Sequence, residues 1–422
     1  MELQTLTKKR RPSDDDSPAA AAPRWVMLNP YITIMDSTNS CLADAKTMAV
    51  SCTSSGQSFS ISCGDGNYHL ESEDVRRRRL HVVSAHDDVV LIQISLPNCN
   101  NGYNNLHYHH DHFLYETGAG RPPLLSLLPS CYISMQFERD QGAPQDPIPS
   151  QRSRSLDSKN TGVLRLGDGK ILVVQLDLGY NNVAELCVLH HPSHGRDWVI
   201  KRVPIVHHRQ EGKDEVRQWR RPPWPEVVEA AVPVGNRFMC WINYHNGFYL
   251  CDMAEKQTDP KLQYVPLPVS AYDATTGNYL EDPHWPRGLL HLAAARPDAV
   301  RFVAIAPRCC CGGPGKSSCE RSSSAFNVTT WTMNVRSAEA IWVKERVLDC
   351  SELWQQLPSY RGIRHESFEY PIISADDPDV ICFIVDRRTV EVNTRSKALL
   401  SIVTEAFSPR GADCHLPAKL HW

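Results

Sequence analysis

The sequence predicts an all-β fold, a propeller-like series of four-stranded antiparallel sheets with few short helices. Three observations predict it. The apolar runs are short, rich in β-branched and aromatic residues, and bounded by Asn, Gly, Asp and Pro, which is the strand-and-hairpin pattern. Thirty prolines stand against twenty-two glycines, a balance that disfavours long helices and favours punctuated turns. From Thr161 onward, groups of strands recur at a spacing of about 45 residues, in the range of propeller blades. By length, roughly six or seven such sheets fit the chain. Two smaller β domains divided near Gln141–Lys159 are the alternative.

Taken in order, residues 1–23 read as a disordered polar tail, because their composition cannot repay the entropy of ordering. Lys8, Lys9, Arg10 and Arg11 form a short basic cluster of the kind that directs nuclear import; the plainer reading is a solvated patch neutralised by Asp14 to Asp16. Residues 24–408 read as the folded β domain and residues 409–422 as a C-terminal tail. Order starts at Arg24–Leu28. Leu80–Leu96 reads as two strands turning at Asp87 and Asp88. Gln141–Lys159, rich in Pro, Ser, Asp and Arg, reads as a disordered loop.

Four units follow. Thr161–Ile205 turns at Gly167–Gly169 and again around a His-Pro-Ser-His-Gly sequence. Val232–Pro268 is a meander, with strands at Arg237–Asn243, Phe248–Met253 and Lys261–Leu267 and a tight turn at His245-Asn246-Gly247. A third unit starts at Arg287, and the last covers Phe368–Val403. Trp-Val recurs at Trp198-Val199 and Trp342-Val343, as outer-strand aromatics do in a repeated blade. Leu348–Leu357 is the one good helical pattern, a connector with Leu348, Leu353, Trp354 and Leu357 on one face.

Two clusters invite a metal. His107, His109, His110 and His112 flank Asp111, and imidazoles with a carboxylate suit zinc or nickel. Asn and Gly saturate Asn98–His112, so the stretch reads more simply as a flexible loop, and histidines this crowded do not meet at one tetrahedral ion without a rigid frame. Cys309, Cys310 and Cys311, with Cys319 further on, lack the C-x₂₋₄-C spacing that grips zinc. The same loop's GPGKSS fails the phosphate-loop pattern, because Cys310 stands where the first Gly is required. Cys240 and Cys251 read as small buried hydrophobes, and Asp252 as a turn cap. No catalytic residue, metal or cofactor is therefore expected.

The net charge of −3 gives no argument for nucleic acid. No apolar run approaches the ~20 residues of a membrane span, and the N-terminus lacks the apolar core of a signal peptide. A cytoplasmic or nuclear protein with mostly reduced cysteines is expected.

GNRFMCWINYHNGFYLCDM and LQYVPLP, followed by FNVTTWTMNVRSAEAIWVKERVLDCSELW at Asn327–Trp354, resemble the plant, grass-expanded domain of unknown function 1618 family, which is related to F-box-associated propeller-like proteins. The resemblance is densest between residues 219 and 379. It implies the recognition part of an F-box protein, but no F-box is recognisable in this sequence. The expected function is a non-catalytic scaffold that binds protein partners. The alternatives are an enzyme of the carbohydrate-active hydrolase class with paired carboxylates in a propeller channel, and a nuclear regulatory protein.

Overall fold

The computed structural model describes residues 2–6, 26–33, 49–52, 58–65, 79–97, 108–117, 122–132, 154–178, 183–192, 198–207, 227–254, 260–269, 288–307, 325–337, 339–355, 368–385, 388–403 and 416–418. They form two compact units, Met1–Val203 with Cys414–Trp422, and Pro204–Asp413.

The first unit opens with β1 (Glu2–Leu6), β2 (Val26–Thr33), β3 (Ala49–Cys52) and β4 (Ser58–Asp65). β1 lies between β2, antiparallel, and β4, parallel. The expected N-terminal tail therefore contains a strand: averaged composition hides Leu3, Thr5 and Leu6 among polar neighbours, and pairing on both sides supplies the hydrogen bonds the segment lacks alone.

A four-stranded antiparallel sheet follows: β5 (Arg79–His86), β6 (Val89–Pro97), β7 (Tyr108–Glu116) and β8 (Leu124–Leu127). Asp87, with φ of 49°, makes the expected β5–β6 turn. The His-rich stretch, expected as a loop, ends instead inside a strand. Tyr108–Glu116 pairs residue for residue with Val89–Pro97, and His110 and His112 keep side-chain partners across the ladder, which offsets the burial of His112.

The next sheet runs β9 (Thr161–Arg165), β10 (Ile171–Leu178), β11 (Val183–His191) and β12 (Val199–His207). Gly169 takes the β9–β10 turn with φ of 85°, where glycine carries no steric cost. Ahead of β9, the end of the expected disordered loop is ordered: Arg154 and Leu156 are buried. The boundary between units falls at Val203/Pro204, inside β12 and not in the Gln141–Lys159 loop.

In the second unit the meander has four strands: β13 (Ala230–Val234), β14 (Phe238–Asn243), β15 (Gly247–Asp252) and β16 (Leu262–Pro266), each antiparallel to the next. The end of β12, Ile205–His207, adds to the outer edge of β16 in parallel. Two further four-stranded antiparallel sheets follow. One is β17 (Leu290–Arg296), β18 (Ala299–Pro307), β19 (Phe326–Asn334) and β20 (Val343–Asp349). Helix α1 (Cys350–Trp354) comes next; Asp349 caps it by accepting from the Ser351 N–H, and Leu353 is buried, as the connector pattern predicts. The other sheet is β21 (Glu369–Ile373), β22 (Val380–Val385), β23 (Arg388–Asn393) and β24 (Ala398–Val403). A last strand, β25 (Leu416–Ala418), pairs with β2 in the first unit, so the expected C-terminal tail also contributes a strand.

The repeat is visible in the hydrogen bonds. In four sheets the residue just after the third strand donates its N–H to the carbonyl of the residue just before the second. The pairs are Thr117 to Asp88 (2.9 Å), Met253 to Arg237 (2.8 Å), Val335 to Asp298 (2.9 Å) and Thr394 to Asp379 (2.7 Å). In the β9–β12 sheet that position is Pro192, which has no N–H to give. The tryptophans expected on outer strands sit just before β12 and β20. Each clamps its sheet to the one before it: Trp198 Nε1–H donates to the Pro129 carbonyl at 2.9 Å and Trp342 Nε1–H to the Pro266 carbonyl at 2.8 Å. Within the second unit, β13, β17 and β21 are neighbours, so first strands meet first strands, as in propeller-like stacking.

The core of this unit runs between the sheets. Phe248, Trp342, Phe302 and Trp331 interlock on one side of β17–β20, and Phe326, Phe368, Phe383 and Trp354 on the other. Cys240 and Cys251 are fully buried, as read from sequence. Gly235 has φ of 57°, and a Cβ there would overlap the Pro297 carbonyl between two neighbouring turns.

Gly235→Ala is accordingly expected to destabilise the protein by at least about 2 kcal/mol, from strain at positive φ plus the clash. Trp342→Phe, which keeps most of the ring but loses the indole bond, should cost about 1 kcal/mol. Urea unfolding of the two variants checks both the order and the size.

Candidate functional site

Three kinds of side-chain cluster merit comparison: the histidine row, the buried arginine–carboxylate networks, and the exposed aliphatic residues of the outer strands.

His110 and His112 share one face of β7, their ring centroids 6.5 Å apart, while Asp111 alternates to the other face. Each imidazole meets the residue directly opposite on β6. His110 Nδ1 lies 2.9 Å from Ser95 Oγ, and His112 Nε2 lies 2.8 Å from Gln93 Oε1. Since Gln93 Oε1 also accepts the Leu156 N–H at 2.9 Å, it is an acceptor here, and His112 Nε2 carries the proton. His109 stands opposite Leu96 in the ladder; His107 lies outside the described residues. Among the described residues no three His, Cys, Asp or Glu side chains group to hold a metal. Cys309, Cys310, Cys311 and Cys319, and Lys8, Lys9, Arg10 and Arg11, lie outside the described residues.

Sequence reasoning missed the two buried arginines. Arg154, 3 % exposed, sends Nη1 to Asp177 and to Gln175 Oε1 (3.2 Å) and Nη2 to Glu185 Oε1 (2.6 Å). Asp177 and Glu185 face each other across β10 and β11, so this register brings two carboxylates together on one guanidinium. Burial pushes the Asp177 carboxyl above the usual range, although the Arg154 charge opposes it. Cys131 and Cys187 touch beside this network at 3.3 Å; the hydrogen bond shared with Cys187 and then burial push the Cys131 thiol up, which makes it a poor nucleophile.

Arg301 plays the matching part in the second unit. From β18 it donates to the Pro378 carbonyl, to Asp379 Oδ1 (2.8 Å) and to Glu345 Oε2 (2.6 Å), and Arg395 Nε reaches Asp379 Oδ2 at 2.5 Å. It ties β18 and β20 to the β21–β22 turn of the next sheet. At Asp252 the expected turn cap is present, with the Ala254 N–H at 3.0 Å, alongside a two-pronged pair with Arg237. Two aspartates that each follow another aspartate in the chain do different work. Asp88 pairs with Arg165 of β9 at 2.8 Å, and Asp377 accepts the Asp379 N–H at 2.9 Å to shape a turn.

The third feature lies outside the core. Val199, Ile200 and Val206 on β12, and Ile341, Val343 and Val347 at β20, are all exposed. Each of these strands is the fourth of its sheet. The strip at β20 falls in the stretch that a family comparison picks out. Residues 241–382 match the family described as protein of unknown function, DUF1618.

That segment runs from the second half of β14 to the first half of β22 and includes the Trp342 clamp and Arg301. No curated protein matches the chain. Among solved structures, an ACO/RPE65 chimera aligns at 7 % identity over 78 % of both chains, with a TM-score of 0.31. A NanB sialidase mutant from Streptococcus pneumoniae aligns at 8 % identity, covering 79 % of this chain and 62 % of its own, with a TM-score of 0.32. Sqt1 from Saccharomyces cerevisiae aligns at 9 % identity, covering 82 % and 97 %, with a TM-score of 0.29. At such scores these likenesses carry no functional argument. No described helix is long and apolar enough to cross a membrane.

Two outcomes follow for the buried polar groups. Arg154→Met should cost about 3–5 kcal/mol, because it leaves two carboxylates buried against each other; adding Glu185→Gln should recover part of that loss, as denaturant melts of the single and double variants will read. His291 on β17 is held neutral, its pKa lowered to about 4 by burial. The unfolded chain binds its proton first, so stability falls as pH drops from about 6.5 towards 4, by at most ~1.4 kcal/mol per pH unit. His291→Phe should flatten that slope relative to the parent when urea midpoints are measured across this window.

Proposed function

We propose that this protein is a non-catalytic scaffold that binds a protein partner through the outer strands of its sheets. The observation that carries this reading is the group of exposed aliphatic side chains on fourth strands, above all Ile341, Val343 and Val347, 58, 59 and 44 % exposed. Apolar side chains grouped on one outer strand, on a fold whose inner faces are filled, favour a binding surface. The buried ionisable groups support the same choice over a hydrolase. Asp177 and Glu185 share Arg154, and Asp379 and Glu345 share Arg301. A glycosidase pair needs one carboxyl able to give a proton and another facing the sugar across a water-filled gap, whereas these carboxylates hold sheets together. The resemblance to F-box-associated proteins gives the scaffold a finer reading, as the recognition arm of an adaptor.

Affinity capture with the tagged full chain from its native tissue, followed by mass spectrometry, tests this. A reproducible partner is expected with the parent protein and not with Trp241→Asp, which places a charge at a fully buried ring and unfolds the scaffold. Ubiquitin-ligase components among the captured proteins are expected on the adaptor reading. Turnover of a glycoside by the purified protein, abolished by Glu185→Gln in a still-folded chain, would replace the scaffold with the enzyme.

A further inference from the structure

The scaffold reading leaves open where a partner sits, and the sheet edges narrow it. Among the described residues β20 is the outermost strand of its sheet and pairs only with β19, with a bulge between Lys344 and Arg346. An outermost strand presents a row of backbone donors and acceptors that a further strand can meet. The molecule already uses such an edge once in this unit. On the neighbouring sheet, the outer edge of β16 takes Ile205, Val206 and His207 as a parallel strand, paired to Leu262, Gln263 and Tyr264. β20 is the equivalent strand one sheet later, and among the described residues no strand covers it. On β24, the third outer strand of the unit, Leu400 is the one large aliphatic side chain in the exposed class among the described residues.

Charge selects what pairs there. The acids of β20 are engaged: Glu345 binds Arg301 at 2.6 Å, and Asp349 caps α1. Its bases are not: Lys344 is exposed, and neither Lys344 nor Arg346 forms an ion pair among the described residues. A lysine on an edge discourages indiscriminate pairing between strands, and beside it a complementary segment needs carboxylates.

We propose that the outer edge of β20 receives an extended acidic segment of a partner protein, added as a parallel fifth strand. The bulge of β20 between Lys344 and Arg346 puts Val343 and Val347 on opposite faces, so the segment covers each with a β-branched residue and meets Lys344 and Arg346 with an acidic residue on either face. This rests on the scaffold reading and gives it a site and a ligand chemistry.

The test uses the full chain and fluorescence anisotropy with a labelled synthetic peptide that alternates Glu and Val. Saturable binding is expected. It should weaken about tenfold in Lys344→Glu and be lost in the double variant Val343→Lys/Val347→Lys, with thermal melts showing all three proteins folded. The same peptide N-methylated at alternate backbone nitrogens should not bind, since strand addition needs those donors. Equal binding of the N-methylated peptide, of a peptide with Lys in place of Glu, or by the double variant would overturn the inference. So would light scattering that shows a dimer dissolved by the double variant, because the occupant would then be a second copy. The two levels separate by capture: a natural partner retained by the double variant sinks the β20 site and leaves the scaffold, while no partner for the parent protein sinks the scaffold as well.

Discussion

A sheet buried on both faces cannot stand alone, and this constraint governs the molecule. All six residues of β14, FMCWIN, are buried, on both sides of the strand. The first six of β10, ILVVQL, are too. At about 25 cal/mol per Å² of apolar surface, exposing either face of such a strand would cost several kcal/mol, so each sheet needs another on each side. Stacked four-stranded sheets satisfy that demand and also explain why the strands read as apolar runs more than as clean alternation.

Stacking by hydrophobic contact is weakly directional, and polar contacts fix the spacing. The recurring bond from the residue after the third strand to the residue before the second holds both turns at one end of four of the sheets in the same relation. The Trp198 and Trp342 indoles fasten outer strands to the sheet before, and Arg165 and Arg301 tie turns of one sheet to strands of its neighbour. Such buried polar contacts add little net stability when complete, yet their disruption is costly. They therefore restrict the packing to one arrangement.

The same logic decides where function can reside. Interior Glu185 and Asp379 are committed to Arg154 and Arg301, and Cys240 and Cys251 to packing. Among the described residues β8, β20 and β24 each end their sheet with one neighbour, whereas β12 and β16 pair with each other, so at those three strands backbone and aliphatic side chains together face outward. Between β16, already joined by the end of β12, and β20, the difference is one strand.

Much of this was legible in the residues. The turns at Asp87-Asp88, Gly167–Gly169 and His245-Asn246-Gly247, the short helix after Asp349, the buried Cys240 and Cys251 and the recurring Trp-Val pairs follow from local chemistry, because turns, caps and apolar runs depend on neighbours in the chain. The match of WVIKRV at Trp198–Val203 to WVKERV at Trp342–Val347 is in the sequence too, and signals the clamp once its role is known. What local chemistry missed are features made by residues far apart. Glu2–Leu6 and Leu416–Ala418 become strands only beside β2, and the histidines of Tyr108–Glu116 are ordered by Ser95 and Gln93 on a neighbouring strand. Arg154 finds Asp177 and Glu185 only when β10 and β11 come into register. Sequence by itself determined the all-β class and the rhythm of strands, since hydrophobic periodicity and turn residues act over a few positions. The tertiary structure alone decided which charges are spent inside and which edge is left open, because burial and pairing are properties of sheets brought together from distant parts of the chain.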